Sequence, residues 1–286
     1  MRERVVPDAS REMYLPDGYM RSVQHRKGAK YPVVLGLPGL LATHNLGDGR
    51  VSDYLRAACE KGLVGMGCTT AAVTASEGAP TIITGSFDLD RYVSDAARAL
   101  GLAHSVAGDG RTVGIIACDI SAAVLAYGIA GKQGRFASRI ACIALISPFP
   151  AFRALRKDLR ERIGNHPFED GPEDNLIVDL TTEREREDGI VRQAHYVRLR
   201  ELREVDAPGA LEGKNVDIPT MTCYSENDGL VDAAAIRELH RAFGGKEETL
   251  YPYRGGGHYL RPDQVLPGVL GFFQKHLRGL CAETRE

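Results

Sequence analysis

Four short, almost uninterrupted apolar runs set the limits on this chain: Tyr31–Leu37 (YPVVLGL), Thr112–Ala117 (TVGIIA), Ile140–Ile146 (IACIALI) and Ile218–Tyr224 (IPTMTCY). Runs with no polar alternation read as strands buried on both faces, which requires helices above and below a sheet. The sequence between them supplies those helices. Phe87–Ala103 carries Leu89, Val93, Ala96, Ala97 and Leu100 at helical spacing, and further helices are expected over Ser52–Lys61, with Ser52 as N-cap, and from Ser121 to Ile129. Val64–Val73 reads as another strand, broken by the Ser/Glu/Gly/Pro cluster at 76–80. After the fourth run come a helix over Ala233–Phe243, a strand over Glu248–Tyr253 and a closing helix over Leu266–Leu277. Ahead of all this, residues 12–26 read as two short strands around the turn Pro16-Asp17-Gly18. The order predicts an α/β fold with a mostly parallel central sheet and helices on both faces.

The alternation fails between about Pro148 and Asp217, where charged sequence such as RALRKDLRER and TTEREREDGIVRQAHYVRLRELREV holds little that resembles a strand. The economical reading is a core formed by 1–147 and 218–286, with 148–217 inserted as a small helical lid. At 286 residues a single domain with such an insertion is expected. A net charge of −2 gives no field to gather nucleic acid or anionic lipid, so a small-molecule substrate is the expected partner. The N-terminal residues lack the apolar core of a signal peptide, and no stretch approaches the roughly 20 apolar residues of a membrane span. A cytoplasmic protein without a membrane partner is expected. The six cysteines show no CxxC pairing, so neither a zinc site nor a disulfide frame is indicated, and no cofactor or metal is expected. Whether the chain is a monomer or a homodimer is left open.

The segment Gly114–Ala122 (GIIACDISA) runs from a buried strand into a helix. A strand-to-helix elbow that exposes a nucleophile is so tight that the residues two before and two after it must be small. Ala117 and Ser121 meet that need around Asp119. Centring the turn on Cys118 would demand a small residue at Ile116, and centring it on Ser121 would demand one at Asp119. Asp119 is therefore the elbow residue. The same pattern also describes a helix with Asp as a dipole-favoured N-cap. Downstream, Ser225–Val231 (SENDGLV) follows a strand and precedes a helix, the place for a carboxylate that orients a histidine. Asp228, at the turn's apex, is preferred over Glu226 and Asp232, although it too could be an N-cap. Gly255-Gly256-Gly257-His258 then follows the last strand, so nucleophile, acid and histidine come in the order Asp119, Asp228, His258. After the first buried strand, Leu37-Pro38-Gly39-Leu40-Leu41 occupies the position of an oxyanion loop. The backbone N–H groups of Leu40 and Ile120 are the expected oxyanion donors. Gly39, Leu41, His44 and Tyr196 are expected to line the substrate pocket.

The segments GLPGLLATHNLGDGRVSDYL, IIACDISAAVLAY, FRALRKDLRERIG, SENDGLV and GGGHYL together resemble the acyltransferase (acyl-carrier-protein thioesterase) family of bacterial luminescence systems, itself an α/β-hydrolase. The resemblance covers most of the chain. It implies an α/β-hydrolase fold and an acyl-type substrate, free, carrier-protein-bound or CoA-bound. In that family the elbow is similar to A-x-S-x-S, with a serine that takes the acyl group. Here the position holds Asp119.

That difference changes the chemistry. A carboxylate is already ionised and needs no base to attack. On an ester or thioester it would form a mixed anhydride, and on a saturated carbon an ordinary enzyme ester. The chain has no tryptophan to cradle a halide, which argues against the common type of dehalogenase. Epoxide hydrolases typically carry two lid tyrosines and an H-G-x-P loop, whereas this lid region holds only Tyr196 and the loop reads Leu-Pro-Gly-Leu. Hydrolysis of an ester, thioester or epoxide of a small hydrophobic acyl-type substrate is the leading expectation. A lyase or cyclase of secondary metabolism, with Asp119 as general base, and a noncatalytic binding module are the alternatives.

Overall fold

The computed structural model describes residues 10–15, 18–23, 32–39, 51, 54–55, 57–58, 64–70, 73–75, 81–85, 87–107, 113–131, 136–157, 160–161, 177–179, 187, 189–195, 202–254, 257–258, 260 and 262–277. Among the described residues twelve strands form two sheets. The larger has eight strands in the order β1-β2-β4-β3-β7-β8-β11-β12. Here β1 is Ser10–Leu15, β2 Gly18–Val23, β3 Val33–Leu37, β4 Val64–Thr70, β7 Val113–Cys118, β8 Ile140–Ile146, β11 Thr220–Ser225 and β12 Leu250–Tyr253. β1 and β2 join antiparallel, and from β4 to β12 every neighbouring pair is parallel. The four apolar runs are β3, β7, β8 and β11, the inner strands of the parallel region.

Their burial on both faces follows from the helices. On one side α1 (Leu89–Ala107) turns Tyr92, Ala96, Ala99, Leu100 and Ala103 inward, spaced so that they share a stripe. With α2 (Ser121–Ala130) and α4 (Ala233–Ala242) it covers Leu35, Met66, Ile115, Ile143 and Tyr224. On the other side α5 (Pro262–Leu277) and the helical residues Val51, Tyr54 and Leu55 cover Val34, Ile116, Cys142, Ala144 and Cys223. Consecutive strand residues alternate between the two cores, as the pleat requires. Gly114 lets α5 come close, since a Cβ there would lie 2.8 Å from Phe273 Cε1. Full burial of a ring such as Phe273 contributes roughly 1.5–3 kcal/mol.

Several elements differ from expectation. The helix expected from Ser52 already includes Val51, and Ser52 lies outside the described residues. The strand expected over Val64–Val73 is two strands, β4 and β5 (Val73–Ala75), and a further strand, β6 (Thr81–Gly85), follows the Pro/Gly cluster. The 148–217 stretch, expected to be helical, contains β9 (Ile177–Asp179) and β10 (Ile190–His195). These build a second sheet in the order β5-β6-β10-β9, with β10 parallel to β6 and antiparallel to β9. Helical turns in the same stretch include Phe152–Ala154 and the four-residue α3 (Ala207–Ala210). Two separate chain segments thus share one small sheet: 73–85 before α1 and 177–195 after β8. A six-residue strand framed by charged residues finds its partner about a hundred residues away, and no local periodicity announces that.

Candidate active site

The site grows out of the C-terminal ends of β7, β11 and β12. Asp119 follows β7 with φ +50, a left-handed conformation uncommon outside glycine, though aspartate and asparagine adopt it more readily than other residues. The turn is held from several directions. Asp119 N donates to Ile146 O at 3.1 Å, while Asp119 O accepts from Ala122 N at 3.1 Å and from Phe149 N at 3.0 Å. Helix α2 takes Ile120, not Asp119, as its N-cap, and Ile120 makes no side-chain cap bond. The carboxylate of Asp119 lies 3.5 Å from His258 Nε2.

His258 follows Gly257, whose φ of +61 permits the sharp turn that brings the imidazole back over the sheet. Its Nδ1 lies 2.7 Å from Asp228 Oδ2 and its Nε2 lies 3.5 Å from Asp119 Oδ1. The side chains of His258 and Asp228 are 4% and 1% exposed, and that of Asp119 is 14% exposed. Asp119 is thus the member of the set that reaches solvent. Asp228 is fixed in turn, since its Oδ1 accepts from Leu230 N at 2.8 Å and Val231 N at 3.0 Å. The other carboxylates of that loop are engaged elsewhere: Asp232 caps α4 through Ala234 N at 2.8 Å, and Glu226 lies 3.5 Å from Arg254.

Burial works against charge on His258, but the hydrogen bonds and negative charges of Asp119 and Asp228 outweigh it and push the imidazole up to about 9. That direction favours the imidazolium form of His258. In this state His258 can give a proton; it cannot take one.

Gly39 lies against the elbow. A Cβ there would stand 3.1 Å from both Asp119 Cβ and Asp119 Oδ2, so the loop backbone passes close beside the carboxylate. Ile120 precedes the first turn of α2, where a backbone N–H has no intrahelical acceptor. Leu40, Leu41, His44 and Tyr196, the remaining residues expected at the site, lie outside the described residues. Among the described residues no group of three or more His, Cys, Asp or Glu side chains is placed to hold a metal ion, and no helix is long and apolar enough to cross a membrane.

One residue beside the elbow escaped the sequence reading. Ser147, just past β8, has φ +46 and is buried, and its Oγ has no hydrogen-bond partner among the described residues. It sits opposite Asp119, because the register pairs Cys118 with Ile146 immediately before them. A Ser-Pro after an apolar strand carries no mark that sets it apart.

No protein-family model matches the chain, and no curated protein does. Solved structures match over nearly the full length. Est1E from Butyrivibrio proteoclasticus is 11% identical with a TM-score of 0.62, covering 95% of this chain and 100% of its own. A soluble variant of the monoglyceride lipase of Saccharomyces cerevisiae, solved with a substrate analogue, is 12% identical with a TM-score of 0.66, covering 97% of each chain. DcsB, solved with its substrate analogue, is 12% identical with a TM-score of 0.66, covering 94% of this chain and 100% of its own. This chain has the α/β-hydrolase fold. In that fold the β7–α2 turn is a strand-to-helix turn at the end of a central strand, and the loops after β11 and β12 hold Asp228 and His258. At such low identity the likeness speaks for the fold alone.

Proposed function

We propose that the chain is a hydrolase that cleaves an ester, thioester or epoxide of a small hydrophobic acyl-type substrate, with Asp119 as nucleophile, His258 as proton carrier and Asp228 as its anchor. The observation that carries this reading is the turn itself: a left-handed Asp119 whose carboxylate faces a histidine held at 2.7 Å by a second, buried aspartate. Strain at a single non-glycine residue costs roughly 1–3 kcal/mol and is characteristic of functional sites. The fold's positions for nucleophile, acid and histidine are filled in the order that hydrolysis uses. The resemblance to a luminescence acyltransferase family supports an acyl-type substrate, carrier-protein-bound or CoA-bound ones included, with aspartate where that family has serine.

The charge state of His258 fits a two-step displacement. In the first step Asp119 attacks the electrophilic carbon while the imidazolium gives its proton to the departing alkoxide or thiolate, or to the opening epoxide oxygen. Asp119 is then an uncharged anhydride or ester, and His258 is neutral. With one of its two flanking charges gone, the imidazole holds a proton less tightly and becomes a base. It takes a proton from water, and the resulting hydroxide attacks the Asp119 carboxyl carbon of that anhydride or ester, breaking its bond to the substrate oxygen. The acid or diol leaves, and Asp119 and the imidazolium are restored. The backbone N–H groups of Ile120 and Leu40 would receive the developing oxyanion.

The same charged histidine also suits a second reading. With Asp119 as general base and His258 as general acid, the site would serve elimination, isomerisation or ring closure without a covalent intermediate. Single-turnover reaction in heavy-oxygen water separates the two, using a short-chain p-nitrophenyl ester, an acyl thioester and an aryl epoxide as probes. Label entering Asp119, together with an adduct that accumulates on Asp119 in His258→Ala, is the expected result. Consumption of substrate with no label in either enzyme or product would exclude hydrolysis in favour of the lyase or cyclase. Saturable binding with no turnover in wild type or variants would leave the noncatalytic module.

A further inference from the structure

The elbow requires only that residue 121 be small, and alanine or glycine would satisfy it as well as serine. Ser121 nevertheless brings a hydroxyl, and that hydroxyl is buried. It donates to Pro38 O at 2.5 Å, a bond that spans 83 residues and joins the first turn of α2 to the loop after β3. Pro38 has no N–H to give the sheet, so its carbonyl is the group by which the rest of the protein can hold it. The next residue is Gly39, where a Cβ would lie only 3.1 Å from Asp119 Cβ and Oδ2, a tight approach. A small displacement of Pro38 would therefore move Gly39 relative to the elbow carboxylate.

We propose that Ser121 is a positioning residue whose hydroxyl clamps the Pro38–Gly39 loop over the elbow and so sets the distance between the loop's backbone and Asp119. The geometry of the clamp stands on the bond and the close approach alone. Its effect on turnover rests on the hydrolase reading above. Positional errors of the order of 1 Å cost about a hundredfold in rate, so a loop released by one bond should cost about tenfold to a hundredfold in kcat. KM should change by less than kcat, because the loop's backbone also borders the bound substrate but is set closest to the charge that develops in the transition state.

The test compares wild type with Ser121→Ala and Ser121→Gly, both small enough for the elbow. The carbonyl carbon of Pro38 is read by NMR through the amide of Gly39. Loss of a hydrogen-bond donor should move that carbon upfield in both variants and shift the amides of Gly39 and Ile120, with distant peaks unchanged and the melting temperature lowered only by the loss of one buried hydrogen bond. An unmoved Pro38 carbonyl would overturn the clamp whatever the kinetics. On a p-nitrophenyl butyrate substrate, a fall in kcat larger than any rise in KM is expected; unchanged kcat, or a rise in KM alone, would overturn the positioning role. Should wild type turn over none of the ester, thioester and epoxide probes, the hydrolase reading falls and the carbonyl shift still decides the clamp.

Discussion

Asp119 unites two unusual properties, a left-handed backbone and a carboxylate set against an imidazolium, and a single substitution separates them. Asparagine tolerates φ near +50 about as well as aspartate, so Asp119→Asn should keep the elbow and lose the charge. The imidazole of His258 should then titrate well below 9, as read from its ring protons by NMR. The change has a consequence for stability. His258 binds its proton more tightly in the folded protein than in the unfolded chain, where about 6.5 is ordinary. Its contribution is therefore complete below pH 6.5 and is lost as pH rises from there through about 9. Urea unfolding between pH 6 and pH 10 should show that alkaline decline in wild type and a shallower one in Asp119→Asn; equal slopes would mean that Asp119 does not hold the proton on His258. Asp119, Asp228 and His258 were legible because each sits in a short motif with a steric or positional rule, and the structure brings the three together. Ser147 and the Ser121 hydroxyl were not, because what distinguishes them is a backbone angle and a partner 83 residues away.

Helix α4 docks on β11 through a polar pin inside the core. His240 is buried, with Nδ1 2.8 Å from Thr222 Oγ1 and Nε2 2.9 Å from Lys246 O. A neutral ring satisfies both contacts if Nε2–H donates to the carbonyl and the Thr222 hydroxyl donates to Nδ1. Thr222→Val keeps the volume and removes the donor, leaving a buried nitrogen unpaired, so it should cost about 1–3 kcal/mol in urea unfolding at pH 7. Burial holds the His240 imidazole below its ordinary value. The unfolded chain therefore accepts a proton that the folded ring refuses, and stability should fall as pH drops below about 6.5. His240→Gln should flatten that acid slope while leaving the alkaline one that belongs to His258; an unchanged acid slope would show that the pin is not the titrating group. At this scale the sheet was largely legible and the small second sheet was not. Apolar runs such as IACIALI admit one reading, whereas Ile190–His195 (IVRQAH) lies between EREREDG and YVRLREL, and charge dominates any window that contains it. β10 is specified by its pairing with β6, which is tertiary information.

For the molecule as a whole, the question raised by this architecture is whether the antiparallel β1–β2 margin and the parallel core unfold together. Three buried cysteines are placed to answer it. Cys68 lies on β4, between the margin and the core, and packs on the α1 side of the sheet. Cys142 on β8 and Cys223 on β11 lie in the parallel centre, on the α5 side. Burial pushes the Cys68 thiol up to about 12, with the charge of Asp95 adding to it, and burial raises the Cys142 and Cys223 thiols as well. Since the thiolate is the species that alkylates, none of the three should react with iodoacetamide at pH 8 while its layer stays closed. Six parallel strands with interdigitating helices on both sides form a single layered body, for which all-or-none opening is the expectation. Peptide-resolved labelling across a urea series should therefore give one midpoint for Cys68, Cys142 and Cys223, coincident with the loss of far-ultraviolet circular dichroism. Earlier labelling of Cys68 alone would show the β1–β2–β4 side opening as a separate unit. Earlier labelling of Cys142 and Cys223 with Cys68 still protected would show instead that α5 lifts from the sheet first, exposing the face beneath it. Either order would also bear on the active site, because Asp119, Asp228 and His258 all project from the strand ends of the parallel centre and would lose their mutual distances with it.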